Sequence, residues 1–281
     1  QATYDGTTYT LFYGFITNIT NNANVDSSVT TFQCSDLFAW LALRKPSISA
    51  TGSTNTGAAI GKVLDEVEWP ASLRDLDTGD TIDDFSADGS KTCLSLITNL
   101  LNAELGLFYI AGDGKATFKN RNARFASLTS SSTISGASNP LMKFQSTNSV
   151  STIFNAATVT RSGGTAQTAT NADSINTYGR RDAPGLSTTY VSTDAQALAR
   201  AALRVVKLKD PKTPAVATLF SSTTTTEPML ARELGDRVTI TEPFQNTSAK
   251  QYFIESITHS SAASRGVQRH VTEWRLSETP A

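Results

Sequence analysis

The chain has 281 residues, 39% hydrophobic and 17% charged, with 24 Lys and Arg against 25 Asp and Glu, a net charge of −1 and a pI near 6.2. That length allows two or three domains with cores of their own, and the balanced charge argues against a nucleic-acid binder that works by neutralising phosphates. No apolar run reaches membrane-spanning length, the two cysteines make neither a disulfide framework nor a zinc cluster, and Ser and Thr are abundant, as in many extracellular or particle-forming β proteins.

In chain order, Tyr9-Thr10-Leu11-Phe12-Tyr13 predicts the first strand, with no secretion signal before it. Phe15-Ile16-Thr17-Asn18-Ile19-Thr20-Asn21 and Val29-Thr30-Thr31-Phe32-Gln33-Cys34-Ser35 follow as paired strands, and Asp36 caps a helical turn over 37–41. A helix is expected over 57–68, with Ala59, Ile60, Val63, Leu64 and Val67 at helical spacing and Trp69-Pro70 as the stop. Asp88 is the expected N-cap of a second helix reaching Glu104, with Leu94, Ile97, Leu100 and Leu101 on one side and Gly106 ending it. It feeds a hairpin, 107–110 and 115–118, turned by Ala111-Gly112-Asp113-Gly114.

The Ser, Thr, Gly and Ala stretch at 129–138 reads as an exposed linker or crossing loop. From residue 148 the β pattern resumes, with Gly163-Gly164 as a turn and a third helix over 193–207 whose stripe is Leu198, Ala202, Val205 and Val206. Strands at 215–220 and 236–241 precede the closing hairpin, Phe253-Ile254-Glu255-Ser256-Ile257-Thr258-His259 and Val271-Thr272-Glu273-Trp274-Arg275-Leu276-Ser277. This order of strands, one helix and strands predicts a barrel with the helix packed across one end.

The closing hairpin is a longer copy of the opening one. Phe-Ile, Ile-Thr, Val-Thr and the final Ser recur, an aromatic follows each Val by three residues, and the loop is four residues longer in the second. Two related β modules with an insertion between them are expected. Two strands and a turn cannot bury enough surface to stand alone, so the first copy needs strands from elsewhere in the chain, from an upstream segment or from a neighbouring subunit.

Catalytic and metal patterns are poor. His259 and His270 lie in the two arms of the closing hairpin, where they could approach one another across the strands, yet no Cys, Asp or Glu stands beside them at metal-ligand spacing, and they read as surface or loop-end residues. Nine carboxylates lie between 65 and 88 against Arg74 alone. Asp75-Leu76-Asp77-Thr78-Gly79-Asp80 imitates a calcium loop, but its twelfth position is Ser86 and its glycine comes one place early. Asp83 and Asp84 are too close in sequence to face one another across a sugar. Gly163-Gly164 lacks the helix that a phosphate loop requires, and no nucleophile elbow occurs. Cys34 and Cys93 are read as buried apolar residues. No catalytic residue, metal ligand or cofactor is assigned, and no enzyme activity is expected.

Four segments in order resemble the tail-tip or central baseplate hub proteins of long-tailed bacteriophages, often catalogued as minor tail proteins. They are Leu11-Phe12-Tyr13-Gly14-Phe15-Ile16 leading into 29–37; Gly61-Lys62-Val63-Leu64-Asp65 with Trp69-Pro70 and 103–121; Asp173-Ser174-Ile175-Asn176-Thr177-Tyr178-Gly179-Arg180; and Leu234-Gly235-Asp236-Arg237-Val238-Thr239-Ile240 with the strand at 254–259. The resemblance implies a mainly β fold with an α+β insertion, namely two related tube-type β-barrel domains plus a small α+β domain. The expected division is 1–44 as an incomplete first barrel, 45–125 as the insertion, 126–147 as a linker and 148–281 as the second barrel. It further implies a homotrimer at the tail tip of a virion, contacting distal tail or tail-tube, tape-measure and tip or fibre proteins, with DNA only in transit through the lumen. The hub of a contractile injection or secretion machine and a tail-associated cell-wall hydrolase are the alternatives. The first barrel lacks its opening strands and no peptidase or glycosidase domain is expected after Ala281, so lytic activity does not carry over.

Overall fold

A computed structural model describes residues 1–23, 28–123, 129–136, 143–147, 151–222, 224–245, 247–264 and 267–279. The protein is mainly β and divides into two compact units, one of residues 1–3 and 10–120, the other of residues 4–9 and 121–281. A small hairpin, β1 (Ala2–Tyr4) and β2 (Thr7–Tyr9), turns at Asp5 and Gly6, whose φ angles of 46° and 74° suit the turn that Asp-Gly favours. That turn places the first strand pair upstream of the expected one, and residues 10–14 belong to no strand.

In the first unit, β3 (Phe15–Ala23) pairs antiparallel with β4 (Ser28–Ser35), and Asp36 caps α1 (Leu37–Leu43) by accepting from Phe38 N at 2.9 Å. Two short ladders follow, β5 (Ser47–Ile48) with β9 (Ala87–Asp88) and β6 (Thr54–Asn55) with β8 (Thr81–Ile82). They bracket α2 (Thr56–Glu66), capped by Asn55, which buries Ala59, Ile60, Val63 and Leu64 as the spacing required. Then come β7 (Arg74–Leu76), α3 (Cys93–Glu104), β10 (Leu107–Ile110) and β11 (Ala116–Lys119), with the three strands ordered β10-β11-β7 and β11 parallel to β7. Helices α1 and α2 both pack on α3.

Helix α3 begins later than expected. Thr92 is its N-cap, while Asp88 turns its carboxylate onto Ser90 from within β9. Its left-handed terminal residue is Leu105, φ 60°, and not Gly106. Gly106 answers a different need: a Cβ there would lie 2.8 Å from Lys119 O and 2.9 Å from Phe118 Cε2.

The second unit holds two sheets. Six strands run in the order β12-β18-β19-β20-β17-β13 and curl into a half-barrel; they are β12 (Ser132–Ser135), β13 (Lys143–Ser146), β17 (Ala215–Phe220), β18 (Arg237–Glu242), β19 (Thr247–Ser264) and β20 (Val267–Glu278). Its core is built by Ile134, Phe144, Leu219, Val238, Ile240, Tyr252, Ile254, Trp274 and Leu276, with Met229 from α6 (Thr226–Ala231). The second sheet is β15-β14-β16, made of β14 (Ala156–Arg161), β15 (Gln167–Thr170) and β16 (Leu186–Thr188), with α4 (Ala172–Tyr178) between the last two.

Three expectations change here. The stretch read as a linker carries β12, paired in parallel with β18, and β13, paired with β17. Its Ser and Thr residues form sheet edges around two buried anchors, Ile134 and Phe144; residues 126–128 and 137–142 of that expectation lie outside the described residues. Helix α5 (Asp194–Leu208), capped by a reciprocal Thr193–Gln196 box, packs on β14 and β15 and not across the half-barrel. The face it buries is Ala197, Ala201 and Val205, whereas Leu198 and Val206 are each 44% exposed. Alanines on both sides, Ala157 and Ala169 among them, let the helix approach the sheet closely, so the small residues and not the large ones define the buried stripe.

Candidate functional site

The β3–β4 hairpin is a ribbon whose faces are almost wholly open to solvent. Phe15 faces Ser35 and Ile16 faces Cys34, Thr17 is an extra residue that bulges the strand, and pairing resumes at Asn18 with Gln33 and Ile19 with Phe32. The bulge restores the alternation so that Ile19 joins Ile16 on one face, opposite Phe32 and Cys34. That apolar face is uncovered: Ile16, Ile19 and Phe32 are 58%, 52% and 56% exposed. Asn18 donates to Gln33 Oε1 at 3.2 Å and Thr30 to Asn21 Oδ1 at 2.9 Å across the strands. At the base, Phe15 stacks on Trp40 with centroids 4.3 Å apart and meets Trp69 and Tyr13 edge-on. Trp40, Leu43, Arg44, Glu66, Val67 and Glu68 line a groove of about 340 Å³ beside this cluster.

The β19–β20 hairpin repeats that geometry residue for residue. Phe253 faces Ser277, Ile254 faces Leu276, Glu255 is the bulged residue, and pairing resumes at Ser256 with Arg275 and Ile257 with Trp274. Here the face is covered, with Ile254 and Trp274 at 0% and Leu276 at 2% exposure. The difference lies in the neighbours: β18 pairs β19 and β17 pairs β20, and no described strand stands beside β3 or β4. Cys34 was expected to be buried, and it is exposed because it occupies the position of Leu276 on the uncovered copy. Cys93 is buried at the start of α3, and burial pushes its thiol up to about 11.

The same hairpin brings the two histidines together. His259 Nδ1 lies 3.1 Å from His270 Nε2 and 2.9 Å from Thr272 Oγ1. Burial, and after it the neighbouring His270, push His259 down to about 4, and burial lowers His270 too. The acidic residues go elsewhere. Asp75 pairs with Lys119 at 2.8 Å, Asp77 accepts from Asn120 N at 2.9 Å, and Asp84 accepts from Thr51 N and Gly52 N. At position 80 the backbone N–H donates to Glu104 and the carbonyl accepts from Thr56. Among the described residues no three or more His, Cys, Asp or Glu side chains gather as a metal cluster, and no helix is long and apolar enough to cross a membrane. Sequence reasoning missed the exposure of the first hairpin's apolar face; the signal was there in Phe32 and Ile19 standing where Trp274 and Ile257 stand in the copy.

No protein-family model and no curated protein matches the chain in sequence. Solved structures do match in fold. A tail protein from Neisseria meningitidis MC58 superposes with a TM-score of 0.70 at 14% identity, over 95% of this chain and 80% of that one. The 43 kDa tail protein of prophage MuSo2 from Shewanella oneidensis gives 0.63 at 14%, over 94% and 76%. A prophage tail protein from Listeria monocytogenes EGD-e gives 0.54 at 13%, over 100% and 82%. The chain therefore has the fold of bacteriophage tail proteins.

Proposed function

We propose that the protein is a structural component of a phage virion, a tail-tip or baseplate hub in which three copies ring the DNA channel, each supplying two related tube-type β domains. The observation that carries this reading is the pair of hairpins with one register, one built into a six-stranded sheet and the other with the matching face exposed. A lone two-stranded ribbon is marginal in water, and open strand edges are managed by pairing. A closed ring of identical subunits covers such a face on every copy at once. The fold shared with tail proteins supports the same assignment.

In this reading the hub joins the tail tube or distal tail ring on one side to tip or fibre proteins on the other, and receives the tape-measure protein within. DNA passes through the lumen without being held, which suits a chain of net charge −1. Its work is assembly and not turnover, so a zymogram on host cell wall is expected to show no clearing; clearing lost on His259→Ala or His270→Ala would replace this reading with the hydrolase. The decisive measurement is the mass in solution, by light scattering or sedimentation over a range of concentrations. The expected species has three times the 30.0 kDa of the chain. A monomer under every condition, including mixtures with the neighbouring tail-tube protein, would overturn the hub.

A further inference from the structure

We propose that His259 and His270, together with the hydroxyl of Thr272, form a binding site for a borderline divalent transition-metal ion, of the zinc, nickel or copper class, across the two arms of the closing hairpin. The topology makes the site. The bulge at Glu255 carries His259 onto the face that holds Ile254 and Ile257, and alternation along β20 puts His270 and Thr272 on the face of Trp274 and Leu276. Thr272 is the direct cross-strand partner of His259 and His270 its diagonal neighbour, a separation that side chains of this length bridge.

Three ligand atoms then form a small triangle, with Nδ1 to Nε2 at 3.1 Å, Nδ1 to Oγ1 at 2.9 Å and Oγ1 to Nε2 at 3.5 Å. Two imidazole nitrogens bound at ~2.0–2.1 Å to one ion stand roughly 2.9–3.4 Å apart for angles between square and tetrahedral. The observed spacing falls within that range. Thr272 is fully buried, so its hydroxyl is held and not free to swing away. Two nitrogens and a hydroxyl suit borderline ions and not calcium or magnesium, which require sets of oxygen ligands.

In the metal-free hairpin one ring donates its proton to the other. In the complex that ring carries the proton on its far nitrogen, so no net proton is released. Water fills the remaining coordination positions, and the ion ties the two arms together where the β17 ladder ends, at Leu219 with Thr272 and Phe220 with Val271.

The chain contains two histidines only, so any imidazole coordination is assigned without ambiguity. Untagged protein titrated with Cu²⁺ is expected to bind one ion per chain with two-nitrogen hyperfine structure in its electron paramagnetic resonance spectrum. Zn²⁺, followed by competition with a chromophoric chelator, is expected to occupy the same site. His259→Gln and His270→Gln should each weaken binding at least about tenfold, the scale on which even outer-shell partners of a ligand act. Because a variant could misfold, the wild-type imidazole ¹⁵N resonances are read in parallel, and both rings should shift on adding Zn²⁺. The exposed thiol of Cys34 is controlled with Cys34→Ser, which should keep the two-nitrogen signal. No saturable binding, unshifted imidazole resonances, a signal lost in Cys34→Ser, or unchanged affinity in the double His variant would each overturn the site.

Discussion

Ile16 and Ile254 hold the same register position in two hairpins of one chain, Ile16 across from Cys34 and Ile254 across from Leu276, yet Ile16 is 58% exposed and Ile254 is fully buried. The two hairpins share one register; what differs is that described strands flank the second and, among the described residues, none flanks the first. A truncation at each position therefore has opposite readouts.

Ile254→Ala removes a packed side chain from the half-barrel core and is expected to cost about 2–5 kcal/mol in the isolated chain. Ile16→Ala is expected to change the stability of the isolated chain by no more than about 0.5 kcal/mol, as exposed substitutions do. In the proposed assembly the ranking changes, because covering a half-exposed Ile or Phe is worth roughly 1 kcal/mol or more, so Ile16→Ala or Phe32→Ser should weaken self-association several-fold. Chemical denaturation of dilute protein, set beside sedimentation of concentrated protein, separates the two effects. Equal loss of chain stability at Ile16 and Ile254 would show that the first hairpin is already covered.

Thiol chemistry gives an independent reading of the same asymmetry. Cys34 is exposed, while Cys93 is buried and its thiol stands near 11. At pH 8 the Cys93 thiolate is scarce as well as shielded, and reactivity follows thiolate and access. A disulfide indicator should therefore titrate one thiol per native chain and two after denaturation. In the proposed ring the first thiol should also become protected, since it lies on the face that a neighbouring copy would cover.

Much of this architecture was legible in the sequence. The repeat of Phe-Ile, Ile-Thr, Val-Thr and an aromatic foretold matched hairpins because a period of two with β-branched residues constrains a strand strongly; even the bulges at Thr17 and Glu255 correspond. The cap at Asp36 and the α2 stripe were equally plain. Where the reading failed, the deciding interaction was distant. Ser132-Thr133-Ile134-Ser135 becomes a strand because β18 lies beside it, a partner more than a hundred residues away. Helix α5 turns alanines inward because its sheet is alanine-lined, and no pattern within the helix carries that information. The histidine pair needed the register of the last hairpin before its two rings could be placed on one face.

Tyr252 offers a prediction in the alkaline range. Its ring is fully buried in the half-barrel core against Phe144, and among the described residues its hydroxyl has no hydrogen-bonding partner. Burial first, and then the charge of Glu278, push the phenol up to about 12 from an ordinary value of 10. The sign follows from proton counting: between pH 10 and 12 the unfolded chain has released this proton and the folded chain has kept it, so stability falls as pH rises through that window. Tyr252→Phe removes the titrating group and also a buried hydroxyl with nothing to donate to, and loss of such a group is neutral or stabilising. The variant should be at least as stable as the parent at pH 7 and should lose less stability between pH 9 and 11 in denaturant melts. A variant clearly weaker at pH 7 would mean that the hydroxyl is hydrogen-bonded within the folded protein, to ordered water or to a neighbouring subunit.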